Sequence, residues 1–157
     1  MGCPRVLLAD DSQEIRERVK ELLQEDFDIV GSVQNGQQAI QAASVLNADL
    51  LVLDISMPGL SGVQVASRLC ESGCRTKVVF LTIHEDRDYV EAAFSAGASG
   101  YVCKSRVATD LIPALQSVLR GKSFISQFGQ GIDKTRSEVS TTPRATMNYR
   151  SRSAASS

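Results

Sequence analysis

Leu50-Leu51-Val52-Leu53-Asp54-Ile55-Ser56-Met57-Pro58-Gly59 reads as a strand that ends abruptly. Four apolar residues follow one another with no polar alternation. Such a strand has no face for water, so it belongs inside a parallel sheet covered by helices on both sides. A carboxylate then meets the turn signal Met57-Pro58-Gly59.

The same unit recurs on either side. Val6-Leu7-Leu8-Ala9 and Val78-Val79-Phe80-Leu81 are equally continuous. Ile29-Val30-Gly31-Ser32-Val33 and Ser99-Gly100-Tyr101-Val102-Cys103 are weaker versions. Strands therefore start near residues 5, 28, 49, 77 and 99. Between them lie helical stripes. Ile15, Val19, Leu22 and Leu23 make the first, followed by Ile40, Ala43 and Leu46, then Val63, Ala66 and Cys70. Val90, Ala93 and Phe94 make the fourth, and Leu111, Leu115, Val118 and Leu119 the fifth. Asp11 or Ser12 suits the first N-cap, and Asn35-Gly36 opens the second helix. Gly97 and Gly121 suit helix ends. With Asp110 as N-cap, Pro113 falls in the first turn, where its missing N–H has no partner to lose. The whole is an α/β fold, a (βα)₅ doubly wound five-stranded parallel sheet.

Composition agrees. The 157 residues are 43% hydrophobic and 22% charged, a globular balance. No apolar run approaches the ~18 residues of a spanning helix, and the start lacks a signal peptide's apolar stretch. Cys3, Cys70, Cys74 and Cys103 form neither a zinc ladder nor a dense disulfide pattern, so the expectation is a reduced, cytoplasmic protein. Charge is uneven. Residues 1–133 hold 12 Lys and Arg against 17 Asp and Glu, a balance of −5. Residues 134–157 hold five basic residues against Glu138, a balance of +4. Residues 127–157 are expected to be a disordered Ser/Thr/Arg-rich tail or a truncated linker, following a domain of residues 1–126.

In doubly wound sheets ligands sit beyond the carboxyl ends of the strands. Asp10 and Asp11 follow the first strand, Asp54 the third, Thr82 and His84 the fourth, and Lys104 the fifth. A parallel sheet brings them to one edge. Clustered carboxylates repel, and a hard divalent cation such as Mg²⁺ relieves them. Lys104 offers a mobile point charge for phosphate oxygens, and Thr82 a hydroxyl. The set suits a carboxylate nucleophile that receives a phosphoryl group. Each residue also has a plainer reading. The acidic pair suits a helix cap, Asp54 a turn, Thr82 a backbone bond, Tyr101 a static aromatic and Cys103 the core. His84 reads as a loop residue near the site that affects water access.

On these residues the chain resembles a response-regulator receiver domain of two-component signalling, with the flavodoxin-like (CheY-like) fold. The matching residues are Asp10-Asp11, Asp54 in its Leu51-to-Gly59 setting, Thr82 and Lys104, and the resemblance covers residues 5–126. Leu81-Thr-Ile-His-Glu-Asp, Ala96-Gly-Ala-Ser-Gly-Tyr-Val-Cys-Lys and Leu119-Arg-Gly-Lys-Ser-Phe-Ile-Ser resemble the NarL/FixJ type. The resemblance implies that Asp54 accepts a phosphoryl group from a histidine kinase. It implies that Mg²⁺ is held by Asp11, Asp10, Asp54 and the backbone carbonyl of Ser56. It implies that Lys104 binds the phosphoryl group, and that Thr82 and Tyr101 switch. The face of the fourth helix, fifth strand and fifth helix would then change partner binding, with a homodimer formed on phosphorylation among the expected outcomes. Catalysis would extend only to its own aspartyl phosphorylation and dephosphorylation.

Three features depart from the pattern. Lys104 precedes Ser105 rather than proline, Ile83 is bulkier than the usual residue after the switch Thr, and the stretch after 126 is too short for a helix-turn-helix DNA-binding domain. The alternatives are the receiver of a transcriptional regulator truncated before that domain, and a pseudo-receiver that binds without phosphorylation. Ser56, where a haloacid-dehalogenase-type phosphatase needs a second Asp, argues against that enzyme. The lack of a phosphate-binding glycine motif after the first strand argues against a nucleotide site.

Overall fold

The computed structural model describes residues 3–127. Of the expected tail, residues 127–157, all but residue 127 lies outside the described residues. The strands are β1 (Arg5–Ala9), β2 (Asp28–Val33), β3 (Leu50–Leu53), β4 (Lys77–Thr82), β5 (Gly100–Cys103) and β6 (Phe124–Ile125). The helices are α1 (Gln13–Leu23), α2 (Gly36–Leu46), α3 (Gly62–Glu71), α4 (Arg87–Ser95) and α5 (Val107–Leu119). All pairings are parallel, in the order β2-β1-β3-β4-β5-β6. The first five strands form the expected doubly wound, flavodoxin-like sheet. The order reverses between β1 and β3, which places the switch point between Ala9 and Leu53.

The continuous apolar runs are buried throughout. Val6, Leu7, Leu50, Leu51, Leu53, Val79 and Phe80 are wholly sealed. Helices α1 and α5 pack together on one face, and α2, α3 and α4 follow one another on the other. Fully burying each Leu or Val contributes about 1.5–3 kcal/mol, so the sheet interior is the main stabiliser. Ser12 caps α1, its hydroxyl accepting from the Ile15 N–H at 3.3 Å. Asn35 caps α2 in the same way. Ser61 and Gln64 form a reciprocal capping box on α3. Gly97 and Gly121 take positive φ beyond the ends of α4 and α5.

Three expectations are corrected. A sixth strand, Phe124–Ile125, pairs with β5; two residues carry no periodicity from which to read it. The buried stripe of α3 is Val65, Ala66 and Leu69, and Cys70 is exposed. Helix α5 starts at Val107, after a 3₁₀ turn over Lys104–Arg106, so Pro113 lies inside it and Asp110 is not its N-cap. Val107 belongs to the core, which draws the helix start forward. Pro113 then forgoes only the bond to the Thr109 carbonyl.

Gly62 fixes where α3 meets the sheet. A Cβ there would run into the carbonyl oxygen of Asp54. Its N–H donates to the Ile55 carbonyl at 2.7 Å, holding the helix start against the end of β3.

Candidate functional site

The carboxyl ends of β1, β3, β4 and β5 bring Asp10, Asp11, Asp54, Thr82 and Lys104 to one edge. Parallel pairing sets this directly. Ala9 faces Leu53, and Thr82 faces Cys103. The Asp54 N–H donates to the Ala9 carbonyl at 3.0 Å, which locks the two acidic loops in register.

Asp10 is 4% exposed and fully engaged. Its N–H donates to the Val33 carbonyl at 3.1 Å, and its own carbonyl accepts from Arg16 Nη1 at 2.6 Å. Its Oδ1 accepts from the Ser12 N–H at 2.8 Å, and its Oδ2 pairs with Lys104 Nζ at 2.9 Å. Asp11 is exposed. Asp54 is 5% exposed. Its Oδ2 lies 3.5 Å from Lys104 Nζ, and its Oδ1 accepts from the Ser56 N–H at 3.4 Å. Burial pushes the Asp54 pKa above the usual carboxylate value and the Asp10 charge adds to this; Lys104 and the Ser56 N–H offset only part. One oxygen from each of Asp10, Asp11 and Asp54 lies within 4.8 Å of the others. Three hard oxygen donors carrying three negative charges fit a divalent hard cation, and Mg²⁺ would take one or two of them while keeping waters.

Thr82 is wholly buried, and its Oγ1 accepts from the His84 N–H at 3.3 Å. Tyr101 is also wholly buried, its hydroxyl donating to the His84 carbonyl at 2.8 Å. Burial, with lesser help from Cys103 and nearby acids, holds the Tyr101 phenol well above its ordinary pKa. Burial likewise pushes the Cys103 thiol up to about 12, as suits a core residue. His84, read from sequence as a loop residue near the site, spans it. Its Nε2 lies 2.8 Å from Ser56 Oγ, and its ring stacks on Tyr89 at 4.0 Å between centroids.

Sequence reading missed two participants. Arg16 reaches back one turn of α1 to the Asp10 carbonyl; its spacing from Asp10 was the available signal. Tyr89 carries the His84 ring, and only the fold brings them together.

This chain belongs to the response regulator receiver domain family, whose model matches residues 6–116. Its role is therefore in two-component signalling, as a receiver of the NarL/LuxR type. It is 34% identical over 123 residues to the transcriptional regulatory protein DegU of Brevibacillus brevis, covering 77% of this chain and 52% of that one. It is 33% identical over 124 residues to the nitrate/nitrite response regulator protein NarL of Escherichia coli K12, covering 78% and 57%. The chain thus spans about half the length of the curated relatives it matches. Among solved structures, a LuxR-family two-component response regulator from Aurantimonas sp. SI85-9A1 superposes with a TM-score of 0.76 at 26% identity, over 80% of this chain and 91% of that one. The response regulator domain of Thermotoga maritima CheB gives 0.70 at 25% identity, over 76% and 98%. Among the described residues, no helix is long and apolar enough to cross a membrane.

Proposed function

We propose that Asp54 accepts a phosphoryl group from the phosphohistidine of a histidine kinase, with Mg²⁺, and that the modified site reshapes the α4–β5–α5 face to control partner binding. One observation supports this above all. A nearly buried carboxylate has an ammonium 3.5 Å away and two further carboxylates within reach. Asp10, Asp11, Asp54 and the backbone carbonyl of Ser56 would hold the cation. When bound, Mg²⁺ neutralises charge on the carboxylates and on the transferring phosphoryl oxygens.

The chain's own groups do the rest. An Asp54 Oδ attacks phosphorus in line with the scissile P–N bond. A P–O bond forms as the P–N bond breaks, and the electron pair returns to the imidazole nitrogen. The ring leaves neutral when its other nitrogen already carries a proton. Lys104 turns from Asp10 to a phosphoryl oxygen. The Thr82 hydroxyl gives up the His84 N–H and donates to another. Tyr101, tied to the His84 carbonyl, carries that movement toward the start of α4. The receiver comprises residues 1–126, consistent with the compact unit that ends at Ser126. Its catalysis is confined to its own phosphorylation and dephosphorylation. An output through transcription is favoured by a relative named as a transcriptional regulatory protein, and homodimer formation on phosphorylation is a further proposed output.

The test is chemical trapping. After treatment with acetyl phosphate and Mg²⁺, borohydride reduces an aspartyl phosphate to homoserine. Peptide mass analysis is expected to find homoserine at position 54. Homoserine at another carboxylate, or none in a folded sample, would overturn the assignment.

A further inference from the structure

A third buried carboxylate, Asp110, takes no part in the proposed chemistry. Asp110 Oδ2 accepts from Ser126 Oγ at 2.7 Å and from Arg106 Nε at 2.9 Å. Its Oδ1 accepts from Arg106 Nη2 at 3.4 Å and Thr109 Oγ1 at 3.3 Å. Ser126 is itself only 2% exposed. Its Oγ accepts from the Cys103 N–H at 3.1 Å, and its N–H donates to the Tyr101 carbonyl at 2.8 Å.

These bonds enclose Lys104. Cys103, immediately before it, is held by Ser126. Arg106, at the end of its 3₁₀ turn, is held by Asp110. Lys104 then spans from this braced turn to Asp10 and Asp54. A lysine stem is flexible, so a fixed backbone base limits the positions its ammonium can reach, and the pairs with Asp10 and Asp54 select among them. Ser126 also follows β6 directly, at the point where the chain continues past the sheet.

We infer that Asp110 and Ser126 are positioning residues that brace the turn aiming Lys104 and couple it to the exit strand β6. This rests on the role given to Lys104 above. The coupling has a physical reason, since one buried hydroxyl bridges the Cys103 N–H and Asp110. Withdrawing the Ser126 hydroxyl would leave the buried Cys103 N–H without its acceptor, while Asp110 Oδ2 would keep only Arg106 Nε. A buried donor left without an acceptor is costly, so the bond is kept wherever the backbone can keep it. The exit strand and the Lys104 turn therefore move together, and a change in what Lys104 binds is felt at β6.

Two measurements test this. The first compares rates of adduct formation with acetyl phosphate at saturating Mg²⁺. Ser126→Ala is expected to slow the reaction about fivefold to tenfold, and Ser126→Thr, which keeps the hydroxyl, to recover most of it. The second follows amide hydrogen exchange in Lys104→Ala, which leaves every bond of the brace in place. Exchange at residues 123–127 is expected to quicken at least tenfold, with β2 unchanged. Wild-type rates in Ser126→Ala, or unchanged exchange at 123–127 in Lys104→Ala, would overturn the inference. If the unaltered chain takes no phosphoryl group, the proposed function fails, and the exchange experiment alone decides the coupling.

Discussion

Lys104 Nζ lies 2.9 Å from Asp10 and 3.5 Å from Asp54, so this chain's own ammonium sits between two of the three carboxylates proposed to hold a cation. Both partners are nearly buried, where charge pairs are weakly screened. Under the proposed function Lys104 would act as a tethered competitor for the cation. A divalent ion bound there would displace it from Asp10, and the freed ammonium would become available to a phosphoryl oxygen.

Lys104→Met removes that competitor while keeping much of the stem. Mg²⁺ affinity is expected to rise about tenfold, which corresponds to about 1.4 kcal/mol. Phosphoryl transfer is expected to fall in the same variant, since the ligand for the phosphoryl oxygens is gone. Calorimetric Mg²⁺ titration and adduct rates on one preparation check both; parallel losses would show that Lys104 only supports the fold.

Asp54 makes a pH-dependent prediction. Its folded pKa is raised, chiefly by burial and then by Asp10. Below the unfolded value the group is protonated in both states and costs nothing. As pH rises through the unfolded value toward the folded one, the unfolded state ionises first and stability falls; above both values the deficit is constant. Asp54→Asn should therefore melt a few degrees higher than the unaltered chain at pH 7 without metal, with the advantage fading toward pH 3. Thermal melts across that range check it, and an equal advantage at both ends would refute the assignment of cause.

Tyr101 should be the last tyrosine to ionise. In a spectrophotometric titration of the folded chain, one of the three tyrosines should remain protonated well above the ordinary value near 10. Tyr101→Phe should remove that late component. The same change deletes the bond to the His84 carbonyl, at about 1 kcal/mol of stability. It should leave Asp54 able to accept a phosphoryl group while weakening the response of the α4–β5–α5 face.

Gly62→Ala tests the close approach of α3 to β3. The added methyl meets the Asp54 carbonyl, which is backbone and cannot swing aside. A loss of about 1–3 kcal/mol is expected, read by denaturant unfolding. A neutral result would mean that the α3 start is free to shift.

Much of this was legible from short runs of residues. Leu50–Leu53 and Val78–Leu81 are buried on both faces, so their uniform apolarity marked a parallel sheet. The site followed because parallel strands deliver Asp10, Asp11, Asp54, Thr82 and Lys104 to one edge whatever the side-chain details. What could not be read depends on long-range pairing. β6 is two residues whose partner lies 24 positions earlier. Asp110 looks like a helix cap until Arg106 and Ser126 are seen to claim its oxygens. On α3, Val63 and Cys70 are as apolar as Val65 and Leu69, and only the direction of the core separates them. His84 gained its place through Ser56 and Tyr89, neither of which marks it in sequence.

Asp54 is proposed as a metal-dependent phosphoryl acceptor. Intact mass spectrometry after acetyl phosphate treatment, across a Mg²⁺ titration, tests it most directly on the unaltered chain and Asp54→Asn. A single phosphoryl adduct that grows with Mg²⁺, disappears on chelation and is missing from folded Asp54→Asn is the predicted result. A folded chain that stays unmodified at every Mg²⁺ concentration, or an adduct of equal size in Asp54→Asn, would contradict it.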